Sequence, residues 1–346
     1  MKILLVGAYG TLHREEAIER GFLELGANVR ACKYGDILFN LSIFSRIQFK
    51  IGFGPEFKKI EYKVQQEIID FQPNVVFFRR PLEFSPQAIK RLRKFSSALF
   101  VSYNNDDPFS THYKNPSWYF LRKAIKEYDL HFAFRKKNIP EYYKAEAKKV
   151  YLWEPYYVPW LHLVDNEPSN NGKIFFAMHA EKDCRKLALE TLICNKLPVD
   201  IHSWNWERVF GRKSVDKLNI KSPIWGKEYV QKIGESMATL CFFSKQNNDE
   251  LTSRVFEIPA AGGLLIAERN NRLSEIFDDG EDIFLFSSTQ ELVEKCIFLQ
   301  NNPQRVLQMK KNAKNNLKKI KFSILDRCDM AMKIFEQEIE NITIKE

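Results

Sequence analysis

This sequence predicts two α/β domains, each a parallel sheet covered by helices on both faces. Three observations support that. At 346 residues the chain is long for a single core. Short apolar strand-like runs alternate with amphipathic helix-like runs in both halves. A break containing Pro155, Pro159 and Pro168, closed by SNNG at 169–172, interrupts the pattern before it restarts.

In the first half, strands are expected at Lys2–Val6, Val29–Lys33, Asn74–Phe78, Ala98–Tyr103, Leu130–Phe134 and Lys149–Leu152. Runs such as VVFF and ALFV are continuously apolar, as strands buried on both faces tend to be. Helices are expected at Arg14–Leu25, Pro55–Phe71, Pro86–Phe95, Trp118–Tyr128 and Pro140–Glu146. After the break, strands are expected at Lys173–Ala177, Val199–His202, Met237–Phe243, Gly263–Ala267 and Ile283–Phe286. Helices are expected at Asp183–Cys194, Glu228–Ile233, Ser253–Ala261, Arg272–Phe277, Gln290–Gln300, Pro303–Lys318 and Ser323–Glu340. Two such sheets imply a cleft, with ligands beyond the carboxyl ends of the strands. Ile37–Phe57 breaks the alternation: it is long, aromatic and lightly basic. A segment of that kind suits a lipid-linked acceptor or a bilayer surface, or packs as an insertion with its own short helix.

Composition narrows the class. Hydrophobic residues make up 45% and charged residues 28%, as in ordinary globular proteins. No apolar run is long enough to span a bilayer. The start, MKILLVGAYG, reads as a first strand rather than a signal peptide. The six cysteines (Cys32, Cys184, Cys194, Cys241, Cys296, Cys328) are scattered with no CxxC pair, which fits reduced thiols and a cytoplasmic location. The net charge of +9 includes basic clusters at Lys90–Lys94, Arg135–Lys137 and Lys310–Lys321. They suit a diphosphate ligand or an anionic membrane face, or are simply solvated helix faces. No helix-turn-helix, zinc or RNP pattern accompanies them, so nucleic acid is not an expected partner.

The most informative segment is DELTSRVFEIPAAGGLLIAE, Asp249–Glu268. Asp249 and Glu257 bracket seven residues. Thr252 and Ser253 are N-cap types before a short apolar helix, whose first N–H groups lack intrahelical partners and favour an anion. Arg254 adds a fork of donors suited to phosphate. Glu257 is placed to accept from ribose hydroxyls and Asp249 from hexose hydroxyls. On spacing alone, Asp249 reads rather as a turn residue and Glu257 as a salt-bridge partner. Pro259 argues for a short or kinked helix.

The run TSRVFEIPAAGGLLIAE closely resembles the TRTFEIPACGG-AE signature of the CgeB-like (spore maturation protein) glycosyltransferases of the GT-B fold. The downstream LSEIFDDGEDIFLFSSTQELVEKCIFLQNNPQRV and the upstream PIWGKEYVQKIGESMATLCFF resemble that family's flanking segments. The likeness covers about residues 173–320 and is weaker over 1–150, where SYNNDDPF at 102–109 is the best anchor. It implies two Rossmann-like, doubly wound domains facing across a cleft. Residues 1–165 would bind the acceptor, 166–322 would bind the nucleotide sugar, and a 323–346 helix would cross back to the first domain. It also implies sugar transfer from a nucleotide-activated donor to a saccharide, lipid-linked or protein acceptor, in bacterial surface polysaccharide or glycoconjugate synthesis. The nucleotide sugar would be substrate, with no separate cofactor and no metal. The contrasting expectation is a GT-B protein that binds the nucleotide sugar without turnover.

Retaining GT-B enzymes carry a Glu-x7-Glu motif whose first carboxylate meets the donor hexose and whose second meets the ribose. Asp249 falls on the first position, one methylene short, and Glu257 on the second. The loop HAEKDCR (179–185) follows a predicted strand, and related enzymes place an Arg/Lys pair there on the diphosphate. Lys182, Arg185 and Lys186 are candidates, with Arg185 preferred because it opens the next helix. In the first half, GAYGTLHRE follows the first strand, where Gly7 and Gly10 permit a tight turn close to a ligand. His13 and Asn105 are candidate acceptor contacts. Asp106 or Asp107 is the candidate base on an acceptor hydroxyl, or else part of an Asx-turn. An Asp-Asp pair also mimics the metal-binding DxD of GT-A enzymes, but the two-sheet organisation points to GT-B. The Glu-x7-Glu likeness implies retention, whereas a base at Asp106 or Asp107 would give inversion. The basic charge and Ile37–Phe57 make a peripheral position on the inner face of the cytoplasmic membrane a further expectation.

Overall fold

The computed structural model describes all residues except 11–13, 40–47, 49–53, 113–116 and 344–346. It divides into two compact units, Met1–Glu154 with Ile324–Glu346, and Pro155–Ser323.

The first unit holds six strands: β1 (Lys2–Gly7), β2 (Asn28–Lys33), β3 (Val75–Arg79), β4 (Leu99–Asn104), β5 (Leu130–Ala133) and β6 (Val150–Leu152). They lie in the order β2-β1-β3-β4-β5-β6, and every pair is parallel. Alternating side chains feed two cores. On one face Leu4, Val6, Val76, Phe78 and Phe100 pack with Ile60, Val64 and Ile68 of the Pro55–Phe71 helix. Elsewhere in the unit Phe77 meets Phe22, Trp153 and Phe335 at ring-centroid distances of 5.9, 5.7 and 6.3 Å. Phe335 belongs to the last helix, Ile324–Thr343, and is wholly buried. Burial of its ring and of Ala331 and Cys328 fixes that helix to this unit.

The second unit holds β7 (Ile174–Ala177), β8 (Val199–His202), β9 (Ala238–Cys241), β10 (Leu265–Glu268) and β11 (Phe284–Phe286), in the order β11-β10-β9-β7-β8. All pairs are again parallel. Along β7, Ile174 and Phe176 face one core while Phe175 and Ala177 face the other, which is the period-two consequence of a sheet buried on both sides.

The sequence places every one of these strands within one or two residues. It misses four short helices, Gly35–Phe39, Pro159–His162, Trp206–Phe210 and Arg212–Leu218, which are too brief to show a helical period. The unit boundary falls at Glu154–Pro155, where the proline-containing break begins. Residues 155–165 belong with the second unit because Tyr157 donates to the Phe322 carbonyl, Val164 donates to that of Ala260, and Val164 packs on the second unit's core.

The basic clusters are largely spent on internal partners. Arg91 forks onto Glu61, Arg93 pairs with Asp129, and Lys137 pairs with Asp107. Lys310 is wholly buried and donates to the carbonyls of Ser169, Gly234 and Ser236 at 2.6–2.8 Å. Burial pulls its ammonium down to about 7, while the three carbonyl acceptors favour the charged form. Most of the Ile37–Phe57 segment lies outside the described residues. No described helix is long and apolar enough to cross a membrane.

Candidate functional site

In each sheet the chain starts near the centre, runs to one edge and returns to the other side. The strand order therefore reverses between β1 and β3 in the first unit, and between β7 and β9 in the second. A crevice opens at such a point beyond the carboxyl ends of the strands. In the second unit the loops leaving β7 and β9 carry the segments 178–184 and 242–253, which include Lys182, Asp249, Thr252 and Ser253.

The two loops are tied together by Glu181, a residue the sequence reading passed over. It is 3% exposed. Its Oε1 accepts from the Gln246 N–H at 3.0 Å, and its Oε2 accepts from Arg185 at 3.0 Å and lies 3.4 Å from His179 Nε2. Burial alone would raise this carboxyl. The His179 hydrogen bond, the Arg185 charge and the Gln246 N–H outweigh that and hold it at about 2.

Arg185 is 0% exposed. Its guanidinium donates to the His179 carbonyl at 2.9 Å and to Glu181, and lies 3.1 Å from Asp183. This makes it an internal clamp of its own loop. Arg185, the residue preferred among the basic ones here, is thus the one whose guanidinium the loop encloses. Its place at the helix start signalled proximity to the site, but burial turned the side chain inward. Lys182 is exposed, and Lys186 packs its ammonium over the Phe210 ring at 5.5 Å.

Asp249 lies half-buried on the loop after β9, with its N–H donating to the Ser244 carbonyl at 3.0 Å. The helix that follows spans Arg254–Ala260. Thr252 Oγ1 accepts from the Arg254 N–H at 3.3 Å, whereas the Ser253 hydroxyl makes no capping bond. Ser253 contributes its carbonyl instead, accepting from Phe256 and Glu257. Pro259 sits in the last turn, and Gly262, at φ 70°, then takes the left-handed conformation that stops the helix and turns the chain into β10.

The helix brings two predicted residues together. Arg254 Nε donates to the Ala177 carbonyl at the end of β7, 3.2 Å away. Glu257 Oε2 accepts from the Tyr229 hydroxyl at 3.2 Å. Burial pushes the Arg254 guanidinium down, but the Glu257 carboxylate beside it outweighs that and raises its pKa, so the charge is firmly held. Tyr229 is raised by burial and by Glu257, and stays a neutral donor. Burial keeps the nearby His162 below its usual range, and its Nδ1 accepts from the Val158 N–H. At the end of β10, Glu268 accepts from the Phe243 N–H at 2.9 Å and pairs with Lys245 at 3.2 Å. Past the ends of β7, β9 and β10 the chain thus brings together a fixed positive fork, several carboxylates and a phenol. Tyr229 and Glu181 could not be read as neighbours of these segments, because the fold, not spacing, brings them together.

The first unit presents its own strand ends. The turn after β1 takes its left-handed φ of 51° at Tyr9 rather than at a glycine, with Gly10 half-exposed beside it. His13 lies outside the described residues. Arg79, 7% exposed, bonds Asn105 Oδ1 at 2.9 Å and pairs with Glu15 at 3.3 Å. Asp106 pairs with Arg80 at 2.8 Å. Burial would raise its carboxyl, but Arg80, with Arg79 and Arg14, holds it below the usual range. Asp107 is 0% exposed and accepts from the Phe109 N–H at 3.0 Å and from Asn138 at 2.9 Å, with Lys137 at 2.8 Å. Asp107 thus closes a turn, which the sequence could not separate from a catalytic role.

Residues 185–321 match the model of the glycosyl transferase-like family. The fold is GT-B. Among solved structures, sucrose-phosphate synthase of Thermosynechococcus elongatus aligns at a TM-score of 0.70 and 11% identity, covering 99% of this chain and all of that one. Anabaena HepE, solved with UDP and glucose, aligns at 0.67 and 10% identity over 97% of this chain and all of its own. A glycosyltransferase from Rickettsia africae aligns at 0.62 and 15% identity over 98% of both chains. No curated protein sequence matches the chain significantly. The family match contains the Arg254–Ala260 helix and every strand of the second unit but β7.

Proposed function

We propose that this protein is a glycosyltransferase that takes a sugar from a nucleotide-sugar donor held on the second unit and passes it to a saccharide, glycolipid or protein acceptor. One observation carries the reading: the segment matching the glycosyl transferase-like family holds Arg254 and Glu257 at the strand-order reversal of its sheet. Arg254 supplies fixed positive charge for a diphosphate, and Glu257, oriented by Tyr229, supplies an acceptor for ribose hydroxyls. Asp249 is assigned to the hexose, and Thr252 and Ser253 to the same mouth. The finer reading is a CgeB-like, metal-independent enzyme of bacterial glycoconjugate synthesis, active at the inner face of the cytoplasmic membrane, with the nucleotide sugar as substrate and no resident cofactor. Retention is what the resemblance of Asp249 and Glu257 to the Glu-x7-Glu motif implies. Asp106 remains the candidate base for the inverting alternative.

A second reading, donor binding without turnover, is favoured by the state of the first-unit carboxylates. Asp107 is fully enclosed, and the pairing of Asp106 with Arg80 lowers its basicity. A thermal-shift screen over UDP, GDP, dTDP and CMP tests binding, because a ligand of the folded state raises Tm. Nucleoside diphosphate release from the matching sugar donor tests turnover. Release that Glu257→Ala abolishes supports the enzyme. Binding without release, even with acceptors supplied, supports the second reading, and no binding at all rejects both.

A further inference from the structure

The strand ends of the first unit hold more positive charge than the reading above uses. Arg79 ends β3 and Arg80 follows it. Arg14 opens the helix after β1, Arg135 lies two residues past β5, and Arg327 stands near the start of the last helix. The four charges that act most on Tyr103, buried in β4, are the guanidiniums of Arg79, Arg14, Arg135 and Arg327. Burial pushes that phenol up to about 12 in spite of them. The charges of Arg80, Arg79 and Arg14 likewise converge on Asp106. Among the carboxylates here, Glu15 pairs with Arg79 and Asp106 with Arg80, while Asp107 is taken by Lys137.

Two further observations point to an oxyanion. Arg79 Nε and Asn104 Nδ2, at the ends of the adjacent strands β3 and β4, are buried donors that meet no acceptor among the described residues. A buried donor in that state calls for an acceptor from outside the chain. Arg80 takes φ 52°, a left-handed conformation that disfavours side chains, with its N–H on the Tyr103 carbonyl at 2.7 Å. Strain of this kind collects where a side chain is held for a ligand. Its side chain stays 40% exposed even with Nε on Asp106. Arg14 and Arg80 thus follow β1 and β3, the two strands between which the order of this sheet reverses.

We propose that the acceptor is anionic, and that a phosphate or carboxylate on it docks past the ends of β1, β3 and β4 against Arg80 and Arg14. The assignment rests on the acceptor-binding role of the first unit. A guanidinium fork matches either oxyanion in shape and charge, whereas a neutral sugar leaves the clustered arginines uncompensated.

Saturation-transfer NMR on the full chain tests this, with the second unit occupied by whichever of UDP, GDP, dTDP and CMP raises Tm most. The probes are glucose 1-phosphate, glucuronate and, as the neutral control, methyl glucoside. At least one of the two anions is expected to bind where the glucoside does not. Binding of the phosphate alone makes the acceptor a phosphate ester, and binding of glucuronate alone makes it a uronate. Arg80→Gln is expected to weaken anion binding at least tenfold while keeping the wild-type Tm and nucleotide affinity. Arg14→Gln, at an exposed position, decides the matter if Arg80→Gln lowers Tm. Failure of both anions to bind overturns the proposal, as does equal binding of the glucoside or unchanged anion binding in the variants. Each of these leaves the donor-binding reading standing. If no nucleotide raises Tm, that reading fails and takes the acceptor assignment with it.

Discussion

Replacing Arg185 with Met separates the two roles available to it. As a diphosphate donor, it would give up binding and leave folding intact. As a buried clamp, it would give up folding. The guanidinium is fully enclosed and holds Glu181, Asp183 and the His179 carbonyl. Met fills similar volume but leaves two acidic groups in low dielectric without their counter-charge. Removing one partner of a buried ion pair costs about 3–5 kcal/mol. For a unit of this size each kcal/mol moves Tm by about 2–4 °C, so a fall of about 6–20 °C is expected. Arg185→Lys keeps the charge but not the fork, and is expected to recover less than half. Thermal unfolding by circular dichroism measures the fall. Nucleotide titration below the variant's transition measures binding. A Tm within about 2 °C of wild type, together with a tenfold or greater loss of nucleoside diphosphate affinity, would refute the clamp and restore Arg185 to the ligand.

Three further outcomes are expected. Lys310→Met strips the donors from three buried carbonyls, and urea unfolding should show the second unit about 2–4 kcal/mol less stable. Glu181 and Asp200, the latter bound by Lys221 and Lys232, both titrate near 2 when folded, against about 4 to 4.5 when unfolded. Their contribution is therefore present above about pH 4.5 and lost as pH falls towards 2. With solvent screening it is of order 1–2 kcal/mol each, so the stability gap between wild type and Asp200→Asn should close over that range. Asp107→Ala should destabilise the first unit by about 1–3 kcal/mol, while Asp106→Ala stays within about 1 kcal/mol and instead alters transfer to acceptor. Equal destabilisation by the two variants would put both residues in the same structural role.

Much of this molecule was legible in its residues alone. Strand placement followed from apolar runs such as VVFF and IFFA, because a strand buried on both faces needs nothing more than continuous hydrophobicity. The Arg254–Ala260 helix was readable from Thr252, Pro259 and the Gly262–Gly263 stop, because local backbone preferences act over a few residues. What a side chain faces is a different matter. Arg185, Asp107 and Lys310 are the residue types that bind ligands when exposed, yet here they are buried and spent on their own chain. Only the packing of strands β7, β8 and β9 decides that Glu181 meets Gln246 and that Tyr229 orients Glu257. Those partners are tens of residues apart in sequence, and no local periodicity encodes a contact made by the order of strands in a sheet.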